Sequence, residues 1–522
     1  PVPFPPLVPL PAAFSHGSAT ALLGESFQLL ATPSNPFLEA ACSRYRQIIF
    51  RHAQSPVADK SSGKWAYFPL ECFISELLIV VKDPNSQLSE DTDESYTLSI
   101  PACSEGLMSV PATAVAQTQF GALRALETFS QLVTYNFERK RYVVMAAPWE
   151  IKDRPRFAHR ELLIDSSRHF LPLLPLKKLI ASLPFAKINV LHWHIVDSQS
   201  FPVETPSAPR LWSGAFSAQE RYTVQDVAEV VEFARQHGVR VMPEIDVPGH
   251  AKSWCTGYPD ICPRNAFGNC SEPLKPFGMP GREEGALVEE VVGHVLDDVV
   301  KMFPDPMLHL GGDEVNTECW TQDPSVAAGL AQNNLSATDA LKAVGQRVQA
   351  MGRERKRRVV VWDEVWDLLG KDAHPQTVVQ LWRPWGGSNR TRQIAKAGHS
   401  MIWMQDGPWY LDDVEATWAD MASVEVCQDL TDAQCSSLML GGGGAMWGET
   451  VDASDLEQTV WPRLAAIAEA LWSPRGPRNR ALAQSRARNF RCLLNQRGVA
   501  AAPLTNHRAR QGPGAPGGCF HQ

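Results

Sequence analysis

Past residue 155 the chain repeats one pattern, a short apolar run followed by a longer stretch whose apolar residues fall at helical spacing. Eight such runs read as strands: Glu161 to Ile164, Ile188 to Val196, Val239 to Ile245, Met307 to Leu310, Arg358 to Val361, Thr377 to Leu381, Ser400 to Met404 and Ser437 to Leu440. Strands alternating with helices predict βα units on a parallel sheet. Eight of them suit a closed (β/α)8 TIM barrel, which with insertions takes about 200 to over 400 residues. Before them the pattern differs. The opening residues are proline-rich and read as an extended entry segment, Glu76 to Val81 and Tyr96 to Ile100 read as strands, and Phe120, Leu123, Leu126, Phe129 and Leu132 give Gln119 to Val133 the face of a helix. The expected fold is therefore α/β, with a smaller α+β domain over residues 1–150, a linking stretch from Ala147 to Arg156, a barrel over 151–500, and a tail over 501–522.

Nearly every barrel strand is followed at its C-terminal end by residues suited to chemistry or sugar contact. These are Asp165 and Arg168, Asp197, Asp246 and His250, Asp313 and Glu314, Trp362 and Glu364, Trp382, Trp409 and Tyr410, and Trp447 and Glu449. In a barrel such positions converge on the C-terminal face, where active sites are built. A buried structural network would not favour one end of each strand. The segment His309-Leu310-Gly311-Gly312-Asp313-Glu314-Val315 is the sharpest case, because adjacent side chains on a strand point to opposite faces and share a pocket only if the chain turns. The two glycines permit that turn. Aromatic planes pack on the C–H faces of sugars while carboxylates and Arg take the hydroxyls, so the mixed rim points to a carbohydrate partner. Yet ordinary glycoside hydrolysis needs two carboxyl groups flanking the bond, and adjacent residues are poorly placed for that.

Charge and cysteine usage narrow the setting. The 522 residues carry 49 basic and 57 acidic side chains, a formal net of -8. The one basic cluster, Arg353 to Arg358, reads as a solvated helix end, so no nucleic-acid partner is expected. No apolar run approaches the roughly 20 residues of a membrane span. The 11 Cys include no CxxC pair, which disfavours a structural zinc site; no metal and no cofactor are expected. Cys427 and Cys435 bracket a short polar stretch and Cys492 and Cys519 the C-terminal segment, and both pairs are expected to be bridged; Asn269, Asn334 and Asn389 head glycosylation triplets. Together these favour the oxidising secretory pathway, with a vacuolar, lysosomal or extracellular destination. A homodimer is left open.

The segments HRELLIDSSRHFLP, NVLHWHIVDSQSFP, MPEIDVPGHAKSW, LHLGGDEVNTECW, WYLDD, MWGETVDASDLEQTVWPR and RCLLNQRGVAAAPL resemble the family 20 glycoside hydrolases, the β-N-acetylhexosaminidases, and the last two most resemble plant-type members. FGALRALETFSQL extends the resemblance into the N-terminal domain. The resemblance implies a retaining exo-β-N-acetylhexosaminidase that removes terminal β-linked GlcNAc or GalNAc, with the substrate's own 2-acetamido oxygen as nucleophile, an exception to the two-carboxylate scheme. It implies Glu314 as general acid and then base, and Asp313 as the holder of the acetamido N–H. It makes Tyr410 a donor to the acetamido oxygen, Trp362, Trp382 and Trp447 the pocket wall, and Arg168, Asp412 and Glu449 the hydroxyl partners. Asp197 and His250 become a polar pair beside the acid, with Asp246 a weaker member of the same network. It favours a Cys270–Cys319 bridge over Cys262–Cys319, and leaves Cys42, Cys72, Cys103, Cys255 and Cys262 unassigned. Glu161 and Ser198 depart from the common pattern, and Asp412-Asp413 stands where other members carry a basic residue, which argues against acidic sugars.

Two other readings compete. His192-Trp193-His194 has the HxH spacing with which barrel amidohydrolases hold a metal, but later strand ends offer no further histidine set. A non-catalytic sugar-binding module on the same fold is the other, and the presence of both Asp313 and Glu314 argues against it.

Overall fold

A computed structural model describes residues 5–52, 73–102, 109–138, 140–279, 285–384, 387–475 and 480–504. The N-terminal sheet holds β1 (Ala13–Thr32), β2 (Phe73–Asp83), β3 (Tyr96–Ile100), β4 (Ser109–Thr118), β5 (Val133–Asn136) and β6 (Arg141–Asp153) in the order β1-β2-β4-β3-β6-β5. β1 is long enough to pair with β2 along one half and β6 along the other. The link expected from Ala147 is thus sheet as far as Asp153, because Trp149 and Ile151 are buried at alternate positions. Two helices, α1 (Pro36–Ile49) and α2 (Gln119–Leu132), accompany the sheet.

α2 is buried along its whole length, so its polar side chains need partners. Arg124 donates to Glu94 and to the carbonyl of Gly238, Glu127 pairs with Arg497, and Gln131 donates to the carbonyls of Val8 and Phe185. Glu94 also pairs with Arg160 at the start of the barrel, 2.5 Å away. Breaking such buried pairs costs about 3–5 kcal/mol each, which fixes the two domains against one another. Among the described residues, this domain supplies none of the expected site side chains.

The barrel closes over eight parallel strands: β7 (His159–Asp165), β8 (Val190–Val196), β9 (Arg240–Ile245), β10 (Met307–His309), β11 (Arg358–Trp362), β12 (Val378–Leu381), β13 (Met401–Trp403) and β14 (Met439–Met446). Its inward side chains form layers, as period-2 alternation dictates. Val190, Met242, Met307, Val360, Val378 and Ile402 make an apolar floor. Two residues further along the strands come Glu161, His192, Glu244, His309 and Gln380, all fully buried. Above them Leu163, Trp362, Met404 and Ala445 pack with Trp382, Tyr410 and Trp447 at the C-terminal mouth. The main core lies outside the strands, under the helices. No helix among the described residues is long and apolar enough to cross a membrane.

β14 runs well beyond Leu440, through Gly441–Gly444. Glycine weakens strands and marks close backbone approach, and that is its role here. A Cβ on Gly442 would lie 2.3 Å from the Trp403 carbonyl oxygen, and one on Gly443 2.2 Å from Glu161 Cγ and 2.5 Å from its carbonyl oxygen. Gly443→Ala is expected to lower stability by about 1–3 kcal/mol, the usual cost of overpacking a core. An unchanged urea midpoint would show that β7 and β14 can part without penalty.

Candidate active site

The site grows from the turn after β10. Gly311 and Gly312 have φ of 58° and 94°, and Cβ atoms there would sit 1.8 Å from Asp246 Oδ1 and 2.4 Å from Val365 Cγ2. Only glycine fits both the backbone and the space. In return Gly312 N–H donates to Asp246 Oδ1 (2.8 Å). The turn leaves Glu314 itself at φ 49°, matched by His250 at φ 50° on the loop after β9. Non-glycine residues in this region store strain and gather at functional sites.

The turn divides the two carboxylates. Asp313's side chain is 13% exposed and that of Glu314 61%, so Glu314 reaches the open mouth while Asp313 lines its floor. Asp246 Oδ2 and Asp313 Oδ1 are both buried without a donor, a deficit that one proton held between the two carboxyl groups removes. Asp246 keeps that proton: burial first, then the charge of Asp313, pushes its affinity well above the carboxylate range. Burial works against the charge on Asp313, but hydrogen bonding to His250, the attraction of its imidazolium and the bond from Asp246 hold Asp313 below its ordinary value. Asp313 is therefore an anion.

His250 stands between the groups, with Nε2 3.5 Å from Asp313 Oδ2 and 3.6 Å from Glu314 Oε2, and Nδ1 donating to Asp197 Oδ1 at 3.3 Å. Burial opposes its charge, yet these carboxylates raise its proton affinity far above the usual value. Asp197 takes three further donors, the Ser198 backbone N–H, His194 Nε2 (2.9 Å) and an Arg168 terminal nitrogen (2.8 Å). Burial disfavours its charge, but His194 and His250 keep it ionised. Arg168 also pairs with Asp165 (2.9 Å) and Glu449 (3.3 Å), and its guanidinium lies 5.2 Å from the Trp447 ring centre.

The wall is aromatic. Trp362 and Trp447 lie 6.1 Å apart and Tyr410 is 6.4 Å from Trp447. Trp362 Nε1 donates to Glu244 Oε1 (2.8 Å) and Trp382 Nε1 to Glu364 Oε2 (2.9 Å), so the rings cannot swivel freely. The Trp447 amide donates to Asp412 at 3.5 Å, and burial raises the Asp412 carboxyl to about 6. The residues that the resemblance assigns to sugar contact thus lie at this mouth. Trp409 does not: it is wholly buried, edge-on to Trp403 at 4.5 Å, and fills core.

Three residues stand behind the wall without a functional signal of their own in the sequence. Glu364 lies at a strand end, where burial and the charge of Asp313 raise it to about 8. Glu244 lies inside MPEID with nothing in composition to mark it, and His194 was visible only as half of an HxH pair. That pair meets Glu244. His192 Nε2 and His194 Nδ1 both donate to Glu244 Oε2 (2.9 and 2.8 Å), while Trp362 occupies Oε1. A metal bound at His192, Glu244 and His309 would have to displace these donors.

Cys270 is bridged to Cys319, which ties the loop carrying His250 to the one carrying Asp313 and Glu314; Cys255 is bridged to Cys262 in the first of these loops, and Cys427 to Cys435. Cys492 is disulfide-bonded, while Cys519, Cys72 and Cys103 lie outside the described residues. Cys42 is a buried free thiol. Asn269, Asn334 and Asn389 are all exposed.

The class so defined is a (β/α)8 barrel with a tryptophan-walled acidic pocket at its C-terminal mouth. A model of the glycosyl hydrolase family 20 catalytic domain matches residues 157–475, and one described as beta-acetyl hexosaminidase like matches 7–132. Beta-hexosaminidase 1 of Arabidopsis thaliana is 42% identical over 99% of this chain and 94% of its own length. The human beta-hexosaminidase subunit beta is 34% identical over 91% of this chain and 83% of its own. The crystal structure of Flavobacterium johnsoniae chitobiase superposes with a TM-score of 0.79 at 25% identity, covering 96% of this chain and 74% of that one. The chain belongs to glycosyl hydrolase family 20.

The raised Glu364 carboxyl makes a testable link between pH and stability. A carboxyl that holds its proton more tightly folded than unfolded stabilises the fold fully below its unfolded value, near about 4.3. That contribution is lost as pH rises through about 8. Glu364→Gln, which keeps an acceptor for Trp382, is expected to cost more stability relative to wild type at about pH 4 than at about pH 9. Urea unfolding at both values is the measurement, and an equal difference at both would contradict the assignment.

Proposed function

We propose that the chain is a retaining exo-β-N-acetylhexosaminidase acting on terminal β-linked GlcNAc or GalNAc through an oxazolinium intermediate. The observation that carries this reading is the largely buried Asp313, facing His250, beside the accessible Glu314. Two adjacent carboxylates cannot sit on opposite faces of one glycosidic bond, but they serve when the substrate's acetamido oxygen is the nucleophile. Asp313 receives the acetamido N–H, and its charge offsets the positive charge that develops on that nitrogen. Tyr410 donates to the acetamido oxygen. Trp362, Trp382 and Trp447 hold the group against the anomeric carbon, and such alignment converts binding into rate. Glu314 gives its proton to the leaving oxygen and then takes one from water. Arg168, Asp412 and Glu449 take the ring hydroxyls. Exposed glycosylation triplets and three described disulfides support a place in the secretory pathway.

Glu314→Gln is expected to lower turnover about 10²- to 10⁴-fold on substrates with poor leaving groups while preserving inhibitor binding. Asp313→Asn should cost about 3–4 kcal/mol of transition-state stabilisation on N-acetyl substrates. β-Glucosides, lacking the internal nucleophile, should be turned over very weakly, and a thiazoline mimic of the cyclised intermediate should inhibit strongly. Comparable rates on β-glucosides and β-N-acetylglucosaminides, or an inverted product by NMR, would overturn the reading.

A further inference from the structure

We propose that His194 and Glu244 are positioning residues for the acid/base step, forming the inner end of a buried ion-pair chain that runs from the barrel axis through Asp197 and His250 to Glu314. The proposal rests on Glu314 being the acid/base.

The chain is continuous. Glu244 Oε2 accepts from His194 Nδ1 at 2.8 Å, His194 Nε2 donates to Asp197 Oδ2 at 2.9 Å, His250 Nδ1 donates to Asp197 Oδ1 at 3.3 Å, and His250 Nε2 faces Glu314 Oε2 at 3.6 Å. Glu244, His194 and Asp197 are at most 1% exposed, so no water competes for these bonds and their charges act through a medium of low effective dielectric. An imidazole donating from both nitrogens must carry two protons, and His194 does so between two carboxylates. It is thus a fixed cation. Burial disfavours that charge, but Glu244 and Asp197 raise its proton affinity well above the ordinary value.

Strand geometry explains why this histidine and not its neighbour reaches the site. His192 and His194 both point inward from β8, two residues apart, and both meet Glu244, but only His194 lies high enough to touch Asp197. His194 also meets the uncharged Trp447 ring in a T-shaped contact, with ring centres 5.1 Å apart. On Asp197 the further charges are Arg168 and His250. On Glu244 they are His192, raised to about 9 by Glu161 and Glu244 against the pull of burial, and His309, kept from charging by burial. Glu244 also holds the Trp362 indole, so one carboxylate anchors both the wall of the acetamido pocket and the route to the proton donor.

The charges give opposite signs for two variants. His194→Gln removes a fixed positive charge, so protons at His250 and beyond are held more tightly and the alkaline limb of the kcat profile moves up, by about 0.5–1 pH unit at an effective dielectric near 20. Glu244→Gln removes a negative charge and moves that limb down by a similar amount. A residue that merely supports the fold would lower activity without moving the limb. Both variants should keep the far-ultraviolet spectrum of the wild type, and His194→Gln is expected to lower kcat about tenfold with a smaller change in KM, as for a positioning residue. Should either variant fail to fold, ¹⁵N NMR of histidine-labelled wild-type protein answers the same question: His194 must hold protons on both ring nitrogens at neutral pH. A neutral His194, or limbs that stay in place or move in the same direction, overturns the proposal. Glu314→Gln assayed alongside separates the two readings, because full activity in that variant removes the acid/base assignment itself, whereas its inactivity with unmoved limbs in the others removes only the chain behind it.

Discussion

A carboxylate buried at the centre of a barrel imposes more order than any apolar contact can. Glu244 is fully buried, and an ion in such a place costs several kcal/mol unless donors surround it. The donors come from two other strands, His192 and His194 on β8 and Trp362 on β11, while His309 of β10 stands 3.2 Å away. Each of those side chains then has a second obligation. Trp362 faces the pocket, His194 meets Asp197, and His192 faces Glu161, which is tied in turn to His159 and Gln380. A one-residue shift in any one strand's register would turn that strand's members of the layer out of the barrel and strand their partners. The charged layer specifies the barrel's closure and the aim of the site together.

The same layer explains why the site sits on glycines. His309 ends β10 in register with Glu244 of β9, and in the turn that follows Asp246 and Val365 fill the space that side chains on Gly311 and Gly312 would need. The turn is paid for by the absence of side chains at Gly311 and Gly312, and it delivers two consecutive carboxylates into different surroundings. The disulfide from Cys270 to Cys319 then holds this loop to its neighbour; a bridge of this kind is worth about 2–4 kcal/mol, on the scale of the strain that left-handed backbone at His250 and Glu314 stores.

Much of this was legible in the chain, and unevenly. Seven barrel strands were visible as apolar runs because strands buried on both faces need no polar alternation; of the run Ser437 to Leu440, Ser437 and Leu438 instead close the helix Asp432–Leu438 and only Met439 and Leu440 belong to β14. The end of β14 was not, since its four glycines read as a loop until Glu161, Trp403 and Trp409 are seen crowding them. In the N-terminal domain β3 and α2 stood out, but β1, β4 and β6 carry interspersed Ser, Thr, Ala and Lys whose role depends on what lies across the sheet. The pocket residues were legible because strand-end position and aromatic or acidic character are properties of sequence. His194 and Glu244 were not, because a buried charge declares itself only through its partners, and those lie on other strands.

Asp313 and Glu314 show how far surroundings, rather than residue type, decide a role. The backbone between them is strained and short, yet one carboxylate shares a floor with Asp246 and the other stands in the mouth. Asp246 absorbs the proton that two crowded carboxyls must keep between them, which frees Asp313 to remain an anion without a buried counter-cation of its own beyond His250. A fixed anion stabilises a developing positive charge without reorganising, and preorganisation of this kind is worth more than a stronger interaction formed late. In the proposed reaction Glu314 needs the opposite quality, access to solvent and leaving group, and its 61% exposed side chain on a left-handed turn has it. Two acids one peptide apart are thereby given distinct chemistry by one hidden proton and one turn.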